Sequence, residues 1–178
     1  VQGYQSWGTV AYGIRVSANS YLYSMVSKLD LCDISDMANK LHLHDGLGQQ
    51  LYDPGLLSAN IGGTRYGATP LTMASAYATF ASEGKYCEPR PLEKITKSDG
   101  SPMKTYESKC EQAISPDIAN GVSYVLKGVL ASGGSAPKRA IGLPDASAAK
   151  TGTNDNSSQT WMVGYTRGLA TASWVGSN

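Results

Sequence analysis

Long apolar runs are missing from this sequence. No stretch approaches the roughly 18 consecutive apolar residues that a membrane span needs, so none is expected within these 178 residues. A dominant charge is missing too: Lys and Arg number 15 and Asp and Glu 14, for a formal net charge of +1. Such a balance offers no field for a polyanion. The Trp, Tyr and Phe residues are spread out without a basic-aromatic stripe, and nucleic acid is not an expected partner. Cysteine is scarce. Cys32, Cys87 and Cys110 form no Cys-x-x-Cys pair, which argues against a zinc site. An initiator Met and a leader are also absent, and the chain opens on Val1-Gln2-Gly3-Tyr4 as if cut from something longer. The length suits one domain able to bury roughly two thirds of its unfolded surface, with no internal repeat.

What is present reads as helices through the first three quarters and strands at the end. Val10 to Val16 and Tyr21 to Leu29 are helical stretches interrupted by Ser17-Ala18-Asn19-Ser20, a cluster of capping residues. Asp33-Ile34-Ser35-Asp36 caps a short helix carrying Ile34, Met37, Ala38 and Leu41 at helical spacing. Thr69-Pro70 starts another, with Leu71, Ala74, Ala78 and Ala81 as its stripe and Gly84 as its stop. Ser115-Pro116-Asp117 opens a third, whose expected buried face is Ile118, Val122, Val125, Leu126, Val129 and Leu130. Leu47 to Ala68 and Ala131 to Pro144 read as loops, the second holding Ser132-Gly133-Gly134-Ser135. Three strands are expected at 146–153, 160–165 and 169–175, the middle one alternating Trp161, Val163 and Tyr165 against Met162 and Gly164. The turns between them are 154–158 and 166–168. Cys87 and Cys110 bracket a turn-rich segment; they meet as a disulfide if Ile95 and Tyr106 lie on paired strands, and are otherwise two free thiols. Cys32 is left over, either buried and free or paired outside this chain.

The chemistry-bearing residues cluster in two short segments. Lys150-Thr151-Gly152-Thr153 sets an ammonium, two hydroxyls and a side-chain-free position along one strand. Lys150 and Gly152 would face one way and Thr151 and Thr153 the other, unless the strand edge borders a cleft. That combination suits an edge strand binding an extended peptide and its terminal carboxylate, with Gly152 permitting close approach. Far upstream, Ser17-Ala18-Asn19 supplies a hydroxyl able to relay a proton and an amide able to hold a carbonyl. His42 and His44, with only Asp45 nearby, complete no metal site or Ser-His-Asp triad and read as solvent-exposed polar residues.

In order and spacing, Arg15 to Asn19, the segment 67–78 (Gly-Ala-Thr-Pro-Leu-Thr-Met-Ala-Ser-Ala-Tyr-Ala), Lys150 to Thr153, Trp161 to Tyr165 and Trp174-Val175-Gly176 resemble the transpeptidase domain of penicillin-binding proteins. The likeness is to the bifunctional, high-molecular-weight class (class A) and covers nearly the whole chain. It implies an α/β (α+β) fold: an antiparallel sheet flanked by helices, with a mostly helical subdomain. It also implies serine acyl transfer without cofactor or metal. The expected partners are a peptidoglycan stem peptide ending in D-Ala-D-Ala, and β-lactam antibiotics. Carried over residue by residue, Ser17 and Lys150 are the catalytic pair: Ser17 relays a proton and Lys150 places positive charge beside it. Asn19 would hold the substrate amide and the lysine. The Thr151 and Thr153 hydroxyls would bind the carboxylate, Gly152 lies between them, and the Thr153 backbone N–H would serve the oxyanion hole.

One part of the pattern is missing. That family's nucleophile lies in a Ser-x-x-Lys at the start of a helix, before the Ser-x-Asn, and none occurs ahead of Ser17. Later instances at Ser82–Lys85, Ser101–Lys104, Ser135–Lys138 and Ser147–Lys150 begin no expected helix. The resemblance therefore implies the carboxy-terminal portion of one transpeptidase domain spanning 1–178, inactive alone. A segment carrying Ser-x-x-Lys would lie elsewhere, and the protein would be extracytoplasmic and membrane-associated through a part not in this chain. A serine β-lactamase or D,D-carboxypeptidase, and a non-catalytic β-lactam-sensing module, stay open as alternatives.

Overall fold

The computed structural model describes residues 8–137, 142 and 147–177. The chain start at Val1, the strand start expected at Ala146, and Lys138 of the Ser135–Lys138 pattern lie outside the described residues.

Two short helices come first: α1 over Val10–Val16 and α2 over Asn19–Val26. Thr9 caps α1, its side chain accepting from the Tyr12 N–H, one of the orphan donors of a helix start. The helices sit close because residue 13 is glycine: a Cβ there would lie 2.4 Å from Tyr21 Cβ. α3 spans Leu31–Lys40. Its cap is Asp30, accepting from Cys32 N–H at 2.8 Å, and not the expected Asp33, which lies inside the first turn.

After a single 3₁₀ turn at Leu57–Ile61, α4 runs over Pro70–Ala81 behind a Thr69 cap. Gly84 ends it as expected: its φ of +88° suits glycine, and a Cβ there would lie 2.1 Å from Ile114 O. The buried face of α4 differs from the expected stripe. Thr72, Ala76 and Thr79 are the buried residues, while Leu71 is 63% exposed. α4 packs across the main sheet and a neighbouring helix, and small residues let it approach closely. α5 covers Pro116–Leu130 and buries Ala119, Leu126, Val129 and Leu130. Ile118, expected in that face, is exposed, because the same turn directs its neighbour Ala119 inward, against Leu41 and Ile114.

Four strands appear where none were assigned. β1 (Lys85–Cys87) pairs antiparallel with β4 (Cys110–Gln112), and β2 (Lys94–Thr96) with β3 (Pro102–Thr105). Ile95 does lie on a paired strand, opposite Lys104. Cys87 and Cys110 are directly opposed and joined in a disulfide. Cys32 is free but exposed, not buried.

The carboxy-terminal sheet is antiparallel in the order β5-β6-β7, over Ala148–Thr153, Gln159–Tyr165 and Ala170–Gly176. The central strand does not alternate: Val163, Gly164 and Tyr165 are consecutive buried residues. Its two neighbours cover both edges, and α4 lies across it. One core cluster joins Leu126 of α5 to Ala148 and Tyr165, with Ile14 of α1 packed against it. That packing ties the first helix to the last sheet. Tyr165 keeps its buried hydroxyl satisfied by Ser123 Oγ at 2.7 Å.

Candidate active site

Ser17 closes α1 in the left-handed conformation (φ 57°, ψ 42°), its N–H returning to the Gly13 and Ile14 carbonyls. A serine there carries a steric cost on the order of 1–2 kcal/mol, and strain of this kind gathers at functional sites. The conformation ends one helix and allows α2 to begin two residues later. Ser17 and Asn19 stay exposed at the junction while Ala18 is buried between them. Asn19 opens α2 instead of lying in the interrupting loop.

Among the described residues β5 is an edge strand, paired on one side by β6. Ala148 faces the helical layer against Leu126, and Lys150, two residues on, shares that face. Its ammonium donates to Ser17 Oγ at 2.7 Å, across 133 positions of sequence, and to Thr151 O at 2.7 Å. Among the described residues Lys150 has no carboxylate partner and no hydrogen bond to Asn19. Burial pushes its ammonium below the ordinary lysine value because desolvation disfavours the charged form. Its positive charge is thus uncancelled at the strand edge.

Thr151, of the opposite parity, is also engaged: its Oγ1 lies 3.1 Å from Ser135 Oγ in the loop after α5. The strand edge engages residues of both parities. Thr153 is exposed at the strand's end, opposite Thr160. Gly152 has a reason other than ligand approach: a Cβ would lie 3.3 Å from Trp161 Cβ on the paired strand.

Of the remaining serines of the Ser-x-x-Lys patterns, Ser82 and Ser101 are hydrogen-bonded, while the buried Ser147 Oγ has no partner among the described residues. Ser82 caps α4, its Oγ 2.7 Å from Ala78 O and 2.6 Å from Lys85 O with one proton to give to either; Ser101 donates to Asp99 Oδ1. Ser147 is buried ahead of β5. The histidines depart from the solvent-exposed reading in one case. His44 is exposed, but His42 is half-buried, stacked on Tyr86 with ring centroids 3.9 Å apart and bonded to Glu111 Oε1 at 2.7 Å. A cavity of about 720 Å³ beside them is lined by His42, Asp45, Thr69, Leu71, Cys110 and Glu111, and none of Ser17, Asn19 or Lys150 to Thr153 reaches it. Ser135 and Arg15 were not legible as site residues: Ser135 stood only among the Ser-x-x-Lys serines, and Arg15 only as the start of the Arg15 to Asn19 segment.

A helix-flanked antiparallel sheet whose edge lysine meets a serine at a helix junction is the architecture of penicillin-recognising acyltransferases, and the sequence agrees. The chain belongs to the penicillin-binding protein transpeptidase domain family, whose model matches residues 1–177. Within that family it is similar to penicillin-binding protein 1A of Mycolicibacterium smegmatis, with 31% identity over 94% of this chain and 23% of that protein. Penicillin-binding protein 1A of Clostridium acetobutylicum is 29% identical over 99% of the chain and 21% of the relative. The chain therefore spans under a quarter of the length of these relatives. Among solved structures, the penicillin-binding protein PonA1 of Mycobacterium tuberculosis superposes with a TM-score of 0.80 at 27% identity, covering 99% of this chain and 50% of that one. PonA1 has also been solved in complex with penicillin V.

Proposed function

We propose that this chain forms the cleft walls of a peptidoglycan D,D-transpeptidase. It would be the carboxy-terminal portion of one such domain, cross-linking cell-wall stem peptides by serine acyl transfer and acylated by β-lactams. The observation that carries the reading is the Lys150 Nζ–Ser17 Oγ hydrogen bond of 2.7 Å, which joins the two recognised motifs. The nucleophilic serine is supplied by a Ser-x-x-Lys segment outside this chain.

In this reading the nucleophile's oxygen gives its proton to the lysine of its own Ser-x-x-Lys segment and attacks the carbonyl of the penultimate D-Ala. The C–N bond breaks, terminal D-Ala leaves with a proton, and an acceptor amine later displaces the serine. A hydroxyl carries one proton and two acceptor sites. Because Lys150 donates to Ser17 Oγ, the Ser17 proton is free to be handed to the leaving nitrogen, and the lysine can replace it. Burial, which weakens the lysine's hold on its proton, makes it a readier donor. Asn19 binds the substrate amide, and Thr151 and Thr153 bind the terminal carboxylate, drawn by the Lys150 charge. Gly152 keeps the edge flush against Trp161, and the Thr153 N–H faces the developing oxyanion.

Serine acyl transfer needs no cofactor. The Cys87–Cys110 disulfide supports an oxidising, extracytoplasmic location. No described helix is long and apolar enough to cross a membrane, and membrane association is assigned to a part outside this chain. The test is the reaction of the intact protein with benzylpenicillin, followed by mass. A long-lived adduct supports the transpeptidase; release within seconds points to a β-lactamase, and no adduct to a non-catalytic module.

A further inference from the structure

The loop after α5 is built against the same helical turn that carries Ser17. The Arg15 guanidinium donates to Ser132 O, and Arg15 O accepts from Ser135 N–H at 2.9 Å. Gly134 lies so close to α5 that a Cβ would sit 2.1 Å from Val129 O. The loop is thus clamped between the end of α1 and the end of α5. Its Ser135 side chain reaches the sheet edge, with Ser135 Oγ 3.1 Å from Thr151 Oγ1.

We infer that Ser135 is a positioning residue for the carboxylate end of the ligand, acting through Thr151. Two hydroxyls in contact can share their protons in either sense. If Thr151 donates to Ser135, its one proton is spent inside the protein and nothing is left for an anion. If Ser135 donates to Thr151, the Thr151 proton is released toward the cleft. A bound carboxylate, which only accepts, selects the second arrangement: Ser135 to Thr151 to carboxylate. The donor polarised in this chain is stronger than a lone hydroxyl. Arg15 sets the geometry, because the residue holding Ser135 in place is two positions from Ser17. The inference rests on the proposed acyl-transfer reading and adds a residue that recognises charge on the ligand.

The test uses the intact protein, with benzylpenicillin and its methyl ester as probes. Acylation kinetics are resolved into an apparent Kd and a limiting rate. Ser135→Ala should raise the apparent Kd for benzylpenicillin about tenfold, the loss expected for weakening one charge-assisted hydrogen bond, with the limiting rate unchanged. The methyl ester, which has no anion to orient, should bind parent and variant alike. Ser135→Thr should restore the parent value, and in a Thr151→Val background Ser135→Ala should have no further effect. If Ser135→Ala melts below the assay temperature, Ser135→Cys, which keeps the size but is a weak donor, serves for the same comparison. Equal losses on acid and ester, full loss in the Thr151→Val background, or no loss would overturn the inference. Absence of acylation in the parent itself would overturn the acyl-transfer reading and this inference with it, and is distinguishable because it precedes any substitution.

Discussion

At the β5 edge, residues 133 positions apart are joined by one hydrogen bond, Lys150 to Ser17, between exposed and half-buried side chains. At the β1–β4 ribbon, residues 23 positions apart are joined covalently by the Cys87–Cys110 disulfide. That bond is backed by the His42 ring stacked on Tyr86 and bonded to Glu111. The two regions are held by bonds of different exchangeability. A hydrogen bond from an ammonium can be transferred to an incoming oxygen at little cost, since donor and acceptor are both satisfied before and after. A disulfide and a stacked ring pair have no such alternative partners. The edge is suited to binding and proton movement, and the ribbon to holding its neighbours still. Left-handed backbone does not separate the two regions, since Ser17 (φ 57°) at the edge and His42 (φ 52°) at the ribbon both adopt it.

The largest effect that could break this contrast is at Lys150. Lys150→Ala in the intact protein should slow benzylpenicillin acylation by about a hundredfold or more, since a charge and a proton donor are lost together. Unchanged kinetics would remove the edge from the reaction. Ser17→Ala should follow, with a loss on the order of a hundredfold in the limiting rate. Its thermal melt should stay close to the parent's, because the lost bond to Lys150 is at an exposed side chain while the Ser17 N–H bonds to Gly13 O and Ile14 O remain; a collapse in melting temperature would make Ser17 structural. A pH series sharpens the same point. With its folded value lowered by burial, Lys150 should lose its proton, and acylation should fall, with an alkaline midpoint below the ordinary value of 10.5. The sign for stability is the opposite of an ion-paired lysine's. Folding disfavours the charged form, so the cost is full below the folded value and is relieved as pH rises toward the unfolded one. Lys150→Met should therefore gain melting temperature over the parent at pH 7, and that gain should shrink toward pH 10.5.

The ribbon should give the smallest effect on chemistry and a clear one on stability. Replacing Cys87 and Cys110 together by Ser should cost about 2–4 kcal/mol in denaturant unfolding, with acylation of the folded variant unchanged. A matching loss of acylation would mean that the two regions are coupled.

The parts of this architecture legible in the sequence were those fixed by local chemistry. Thr69 and Pro70 mark a real helix start, Gly84 a real stop, and the limits of α1 and of the last three strands lie within about two residues of the pattern. The Lys150 to Thr153 and Ser17 to Asn19 segments were legible because each concentrates several reactive groups. The strands β1 to β4 were not. Each has three or four residues, mostly exposed, so no alternation of burial can show in the residue pattern. The faces of α4 and α5 were misread where tertiary cover decides: Leu71 and Ile118 are exposed although their neighbours Thr72 and Ala119 are buried, and Thr79 is buried on α4, which packs on the sheet. The second partner of Lys150 is a backbone carbonyl, which no side-chain motif announces. Ser135 carries the same lesson, since a lone serine in a glycine loop gains meaning only when Arg15 holds it beside Thr151.

The most direct test of the cleft is the mass of the intact protein after incubation with benzylpenicillin, for the parent and for Lys150→Ala side by side. The expected result is a stable single adduct on the parent, on a serine outside this chain, and none on the variant in the same time. Equal labelling of both, or an adduct mapped to a serine within this chain, would contradict the assignment of the Ser17–Lys150 cleft.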